Sequence, residues 1–285
     1  MYLEVQWPLV IFSLLAGSAG ALCAMAAASE LTGRAKDARF FAAICALALM
    51  VVGGLASMAH LASPQNAMAA AANLGSLSGI SVELIMLGVT FVVAAAYAVC
   101  VKRAASAGAC KALGVVAGIC GLVLAFVSGH GYVIEARALW NTNLLPLAYL
   151  GSALPVGAFG YLLCGLAAKV DADELLGLRG AVAGAGALSI VAIIAYVAFA
   201  GIDVAGRAPV ALYGGIAVCG VIGVAVCCAL LLHSADAVRG KLLAIATCGC
   251  VAAIIGAVSV RVVMWVASDA FANLFGLAST VMFAG

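Results

Sequence analysis

"RFFAAICALALMVVGGLASMAHLASPQNAM", residues 39–68, decides the architecture. From Phe40 to Ala59 the stretch carries no charge, and about 20 such residues at 1.5 Å of rise each cross the hydrocarbon core of a bilayer. Then His60, Ser63, Pro64, Gln65 and Asn66 crowd together at its end. A titratable ring closing an apolar span needs a physical reason.

Outward from this stretch the same pattern recurs. Apolar runs predict eight membrane helices, at roughly 6–29, 39–60, 81–101, 110–130, 143–168, 179–201, 209–232 and 241–267. The 285 residues are 67% hydrophobic and 8% charged, whereas a soluble domain carries about a quarter charged residues. The expectation is an all-α, polytopic membrane protein, a single transmembrane domain over 1–285, with loops too short to house a soluble catalytic domain. No nucleic-acid partner is expected; the bilayer is the first partner. The opening "MYLEVQWPLVIFSLL" has an acid and no base before its apolar run, unlike the positive start of a secretory signal. It reads as the first permanent helix, with Trp7 at the interface and Pro8 in the first turn.

Eleven cysteines invite a metal or disulfide reading. They all lie in or at the ends of spans, without a CxxC pair, and Cys248 and Cys250 are the one pair separated by a single residue. Such thiols behave as small hydrophobes, so no metal site is expected. Glycine is abundant, and Gly114 with Gly118 and Gly180 with Gly184 have the GxxxG spacing of membrane helix contacts.

Orientation follows from the basic residues. Arg34, Lys36, Arg39, Lys102, Arg103, Lys111, Lys169, Arg179, Arg239 and Lys241 fall in or beside the loops after spans 1, 3, 5 and 7, leaving Arg137, Arg207 and Arg261 for the other side. Both termini are thus expected outside. The 61–80 connection, with no Lys or Arg, lies outside too. Ser63-Pro64 reads as a helix N-cap followed by proline in the first turn, predicting a short surface helix between spans 2 and 3 that stops near Gly75.

Ionisable groups in spans are costly and therefore functional candidates. His60 closes span 2, Glu83 opens span 3, and His130, Glu135 and Arg137 stand at the end of span 4. Arg261 lies 20 residues beyond Lys241, about 30 Å of helix, which places it at the outer boundary with Trp265 and Asp269 on the same face. Each has a plain structural explanation: a snorkelling arginine, a helix-end histidine, a carboxylate favoured by a helix N-terminus. Their gathering at one end points instead to a pocket.

Three histidines in the chain cannot ligate two haems stacked across the bilayer; a single haem between His60 and His130 remains conceivable. A quinol site asks for less: an apolar slot, hydrogen-bonding groups near the quinol oxygens, and a base. Histidine titrates nearest neutrality, and a desolvated carboxylate moves toward it. His60 with Glu83 meets that description. A transporter would need polar groups at the midplane, where little beyond hydroxyls such as Ser189 is found.

The segments "WPLVIF", "ASMAHLASP", "GSLSGISVEL", "GYLLCGL" and the arginine of "SVRVVMW" together resemble the membrane anchor subunits of dimethyl sulfoxide reductase-type molybdoenzymes. The His-Leu-x-Ser-Pro segment, followed some twenty residues later by Glu, is the most specific part. The resemblance implies a menaquinol-oxidising bundle in a prokaryotic cytoplasmic membrane, with no haem, iron–sulfur cluster or molybdopterin of its own and no catalytic residue for the terminal reduction. It implies as partners a four-cluster iron–sulfur subunit and a molybdopterin catalytic subunit, expected on the outer face. It assigns the quinol-site histidine to His60, the glutamate after the surface helix to Glu83, and the span 8 arginine to Arg261; Ser63 and Asn66 lie in the same segment. Asn66 stands where the family has arginine, and the acidic residue a turn before the span 8 arginine is absent from "GAVSV". Polysulfide-reductase-type anchors share the eight spans, and a structural tether without a quinol site is the remaining alternative.

Overall fold

The computed structural model describes residues 5–59, 74–76, 78–135, 137, 139–201, 206–236 and 238–266. Eight helices in it are long and apolar enough to cross a membrane: α1 (Trp7–Thr32), α2 (Ala38–Met58), α3 (Gly79–Lys102), α4 (Ala107–His130), α5 (Leu144–Ala167), α6 (Arg179–Ala200), α7 (Val210–Leu232) and α8 (Arg239–Val266). The architecture is the expected all-α bundle. The surface helix expected from Pro64 lies outside the described residues, and a single 3-10 turn, Leu74–Ser76, precedes α3.

Local chemistry sets the helix ends. Gly33, at φ 71°, closes α1 by donating its N–H to the Ser29 carbonyl, a left-handed position that suits a residue without Cβ. The hydroxyls of Ser78 and Ser106 accept the N–H groups of Ser81 and Ala109 at the starts of α3 and α4, both at 3.3 Å. α1 runs past the predicted end at 29 and takes in Glu30. The charge does not end the helix because Arg39 Nη1 lies 2.9 Å from Glu30 Oε2, and the Tyr97 hydroxyl donates to Oε1 at 2.9 Å.

The packing has an order that no sequence period announces. α1, α2, α3 and α4 form a ring, each against the next and α4 back against α1; α5, α6, α7 and α8 repeat the circuit, and the rings join chiefly through α1 and α5. Four spans per ring give both rings the same orientation in the membrane, as in parallel repeats. Small residues make the seams. A Cβ on Gly20 would fall 2.1 Å from the Gly121 carbonyl oxygen, so α1 and α4 cross backbone against backbone. Gly114 and Gly118 also face α1, where a Cβ would press on Glu30 and Ala27. Gly180 and Gly184 depart from expectation: nothing lies within 4 Å of either Cβ position, and this face of α6 is open. Their spacing alone did not place a neighbouring helix there.

Candidate functional site

Spans that alternate in direction bring the starts of α1, α3, α5 and α7 and the ends of α2, α4, α6 and α8 to one end of the bundle. Glu83 sits in the second turn of α3. Its side chain is half-buried, with Oε1 shielded from solvent and without a hydrogen-bond partner among the described residues. The α3–α4 crossing fixes that position: a Cβ on Gly79 would lie 3.2 Å from the Gly131 Cα, and one on Gly131 would lie 4.0 Å from Glu83 Oε2. The approach is tight at Gly79, whereas a Cβ on Gly131 would meet the carboxylate in ordinary contact.

That turn delivers an aromatic wall. Tyr132 stands 5.8 Å from the Tyr149 ring, 5.8 Å from Trp140 and 6.0 Å from Trp265, and Trp140 meets Trp265 edge-on at 5.2 Å, the tilted and T-shaped arrangements favoured by ring quadrupoles. The Trp140 indole donates to the Met264 carbonyl at 2.9 Å, tying the α4–α5 loop to α8. Burial first, then Tyr149 and Glu83, push the Tyr132 phenol well above the ordinary tyrosine range, with Arg261 pulling the other way. Glu83, Tyr132, Tyr149 and Arg261 thus share one electrostatic neighbourhood. Arg137 stacks over Trp140 at 4.1 Å, with Nη1 shielded and unpartnered among the described residues; burial lowers its pKa from the usual arginine value.

Arg261 does not snorkel to solvent. It is fully buried, at 0% exposure, where α1, α5 and α8 meet. Nε donates to Ser13 Oγ at 2.8 Å and Nη2 to the Ser13 carbonyl at 3.1 Å. Nη1 donates to the Ala257 carbonyl at 2.9 Å and to Ser152 Oγ at 3.3 Å, and the guanidinium lies 4.4 Å from the centre of the Tyr149 ring. Its fork is held by neutral acceptors and a ring face instead of reaching for the interface, because Ser13 and Ser152 supply oxygens inside the bundle.

Of the residues expected at the site, Glu83 and Arg261 come together around Tyr132 and Tyr149, while His60, Ser63 and Asn66 lie outside the described residues. His130 is exposed at the end of α4, stacked 6.1 Å from Phe126. Tyr132, Trp140 and Tyr149 escaped the sequence reading. Their nearest signal was the clustering of aromatic residues around the α4–α5 loop, which interface preference alone would explain.

These features define a class: a polytopic helical membrane protein, apolar through most of its depth, with a polar and aromatic-walled site at one end. Residues 3–267 match the family model of the DMSO reductase anchor subunit (DmsC). The chain belongs to that family and is a multi-pass membrane anchor subunit. Comparison with curated proteins gave no match.

Proposed function

We propose that this anchor oxidises menaquinol at the Glu83 end of the bundle and passes the electrons to an iron–sulfur subunit of a molybdoenzyme complex. The observation that carries the proposal is Glu83 Oε1, a shielded carboxylate oxygen without a partner among the described residues, beside an aromatic wall. Buried acceptors are normally satisfied, and a quinol hydroxyl is a donor of the right kind. Glu83 accepts one of the two protons that leave as the quinol becomes quinone. His60 is assigned the other quinol oxygen, with Ser63 and Asn66 in its connection. Arg261 holds α1, α5 and α8 in register and supplies a fixed positive field.

The two electrons pass to a cluster of the partner, docked at the same end, and the protons leave on that side. The distribution of basic residues supports an outer position for this end, with both termini outside the cytoplasmic membrane of a prokaryote. A structural tether would leave Glu83 without a role. The decisive test is terminal acceptor reduction in membranes carrying the whole complex, driven by a reduced menaquinone analogue or by an artificial dye. Glu83→Gln and His60→Ala should each lower quinol-driven turnover by about 10- to 100-fold with dye-driven turnover intact. Undiminished quinol-driven turnover in both would overturn the proposal.

A further inference from the structure

The far side of α8 carries a second feature. α7 opens as a π-helix, Val210–Gly223, before reverting to α-helix over Val224–Leu232. Such wide turns are rare and often mark functional positions. α7 and α8 touch backbone to backbone where a Cβ on Gly256 would lie 2.4 Å from the Gly220 Cα. Nearer the outer end a groove of about 610 Å³ opens between them, walled by Val210, Gly214 and Cys219 on one side and Ile255 and Val262 on the other. Arg207 and Pro209 stand at its mouth.

We propose that this groove binds one acyl chain of an outer-leaflet phospholipid, with the lipid phosphate at Arg207. Its walls belong to two membrane spans, so hydrocarbon is the medium it faces. Its length fits one leaflet: from Ile255 to Val266 there are eleven helical rises, roughly 16 Å, and half of a hydrocarbon core is about 15 Å. The cation sits where headgroups begin, three residues before the first residue of α7, and basic positions flanking spans attract lipid phosphate. The Glu83 neighbourhood is elsewhere, because Arg261 projects roughly 100–160° around α8 from Ile255, Ser259, Val262 and Val266 at about 100° per residue, toward Ser13 of α1 and Ser152 of α5.

Two variants probe the groove without touching the Glu83 end. Gly214→Phe fills it, since nothing lies within 4 Å of the Gly214 Cβ position; Arg207→Gln removes the charge. The readout is the number of phospholipids retained by the whole complex in native mass spectrometry after mild detergent extraction, with thermal midpoints measured alongside to confirm folding. The wild type is expected to keep one phospholipid that Gly214→Phe loses and that Arg207→Gln holds about fivefold more weakly. All should retain quinol-driven turnover. Equal retention in the three chains, or no retained phospholipid in the wild type, overturns the proposal. Loss of quinol-driven turnover in Gly214→Phe with its phospholipid still bound also overturns it, assigning the groove to the quinol's isoprenoid chain.

Discussion

The two ends of the bundle each hold a carboxylate with a buried arginine nearby, and they treat them in opposite ways. At one end Glu30 and Arg39 meet at 2.9 Å, Tyr97 donates to the other carboxylate oxygen, and Arg39 also donates to Ser29 Oγ at 2.8 Å and to the Ser29 carbonyl at 2.6 Å. Both charges of this pair have their complement. At the other end Arg261 is held by hydroxyls, carbonyls and a tyrosine ring, while Glu83 keeps a shielded oxygen without a partner among the described residues. The closed arrangement is what a bilayer demands of structural charges. The open one leaves hydrogen-bonding capacity unused among the described residues.

The largest effect is expected from breaking the closed end. Arg39→Met strands the Glu30 carboxylate in a site where the two side chains are 11% and 5% exposed. Removing one partner of a buried pair costs about 3–5 kcal/mol, so the thermal midpoint of the purified complex should fall sharply. Adding Glu30→Gln to Arg39→Met should recover most of the loss, because no charge then remains unpaired. A double variant as unstable as the single one would show that Arg39 acts through its bonds to Ser29 and not through Glu30.

Arg261→Met should cost less, about 2–3 kcal/mol, because it exposes only neutral acceptors to apolar surroundings. Arg261→Lys should fall between, since one ammonium cannot span Ser13 and Ser152 as the fork does. Equal losses for Arg39→Met and Arg261→Met would erase the contrast between the two ends. A smaller cost, about 1–2 kcal/mol, is expected for Gly129→Ala, whose Cβ would fall 2.7 Å from the Pro146 Cα and 2.8 Å from Tyr149. The shift it forces on Tyr149 should also lower quinol-driven turnover, whereas Gly108→Ala, with nothing within 4 Å, should change neither quantity.

The bundle was legible in the sequence because the bilayer imposes a length and a composition that any eight apolar runs display. What it left unreadable was the partner of each polar group. Arg39 reads as one more inner-loop cation, yet it is buried, because Glu30 and Tyr97 come to it from α1 and α3. Arg261 could read as a cation that snorkels to solvent, yet it is buried, because Ser13, 248 residues away in the chain, accepts its Nε–H. Serines within apolar runs give no sign of which helix they will face. Glu83 was legible because a carboxylate at the start of a span has few neutralising neighbours in its own helix, and its isolation in sequence persists among the described residues.

The sharpest contrast belongs to paired Glu→Gln substitutions at the two ends. Glu30→Gln removes the charge that Arg39 is paired with and leaves that guanidinium short of its ion partner, so the complex should lose about 2–3 kcal/mol. Glu83→Gln removes a charge that gains no ion pair among the described residues, and relief from burying it should leave stability unchanged or raise it by up to about 1 kcal/mol. Thermal midpoints of the two variants, measured without added quinol, therefore separate a carboxylate that holds the fold from one that the fold holds ready. If Glu83→Gln destabilised the complex as much as Glu30→Gln, Glu83 would have a structural partner of its own, and its role as a proton acceptor would lose its physical basis.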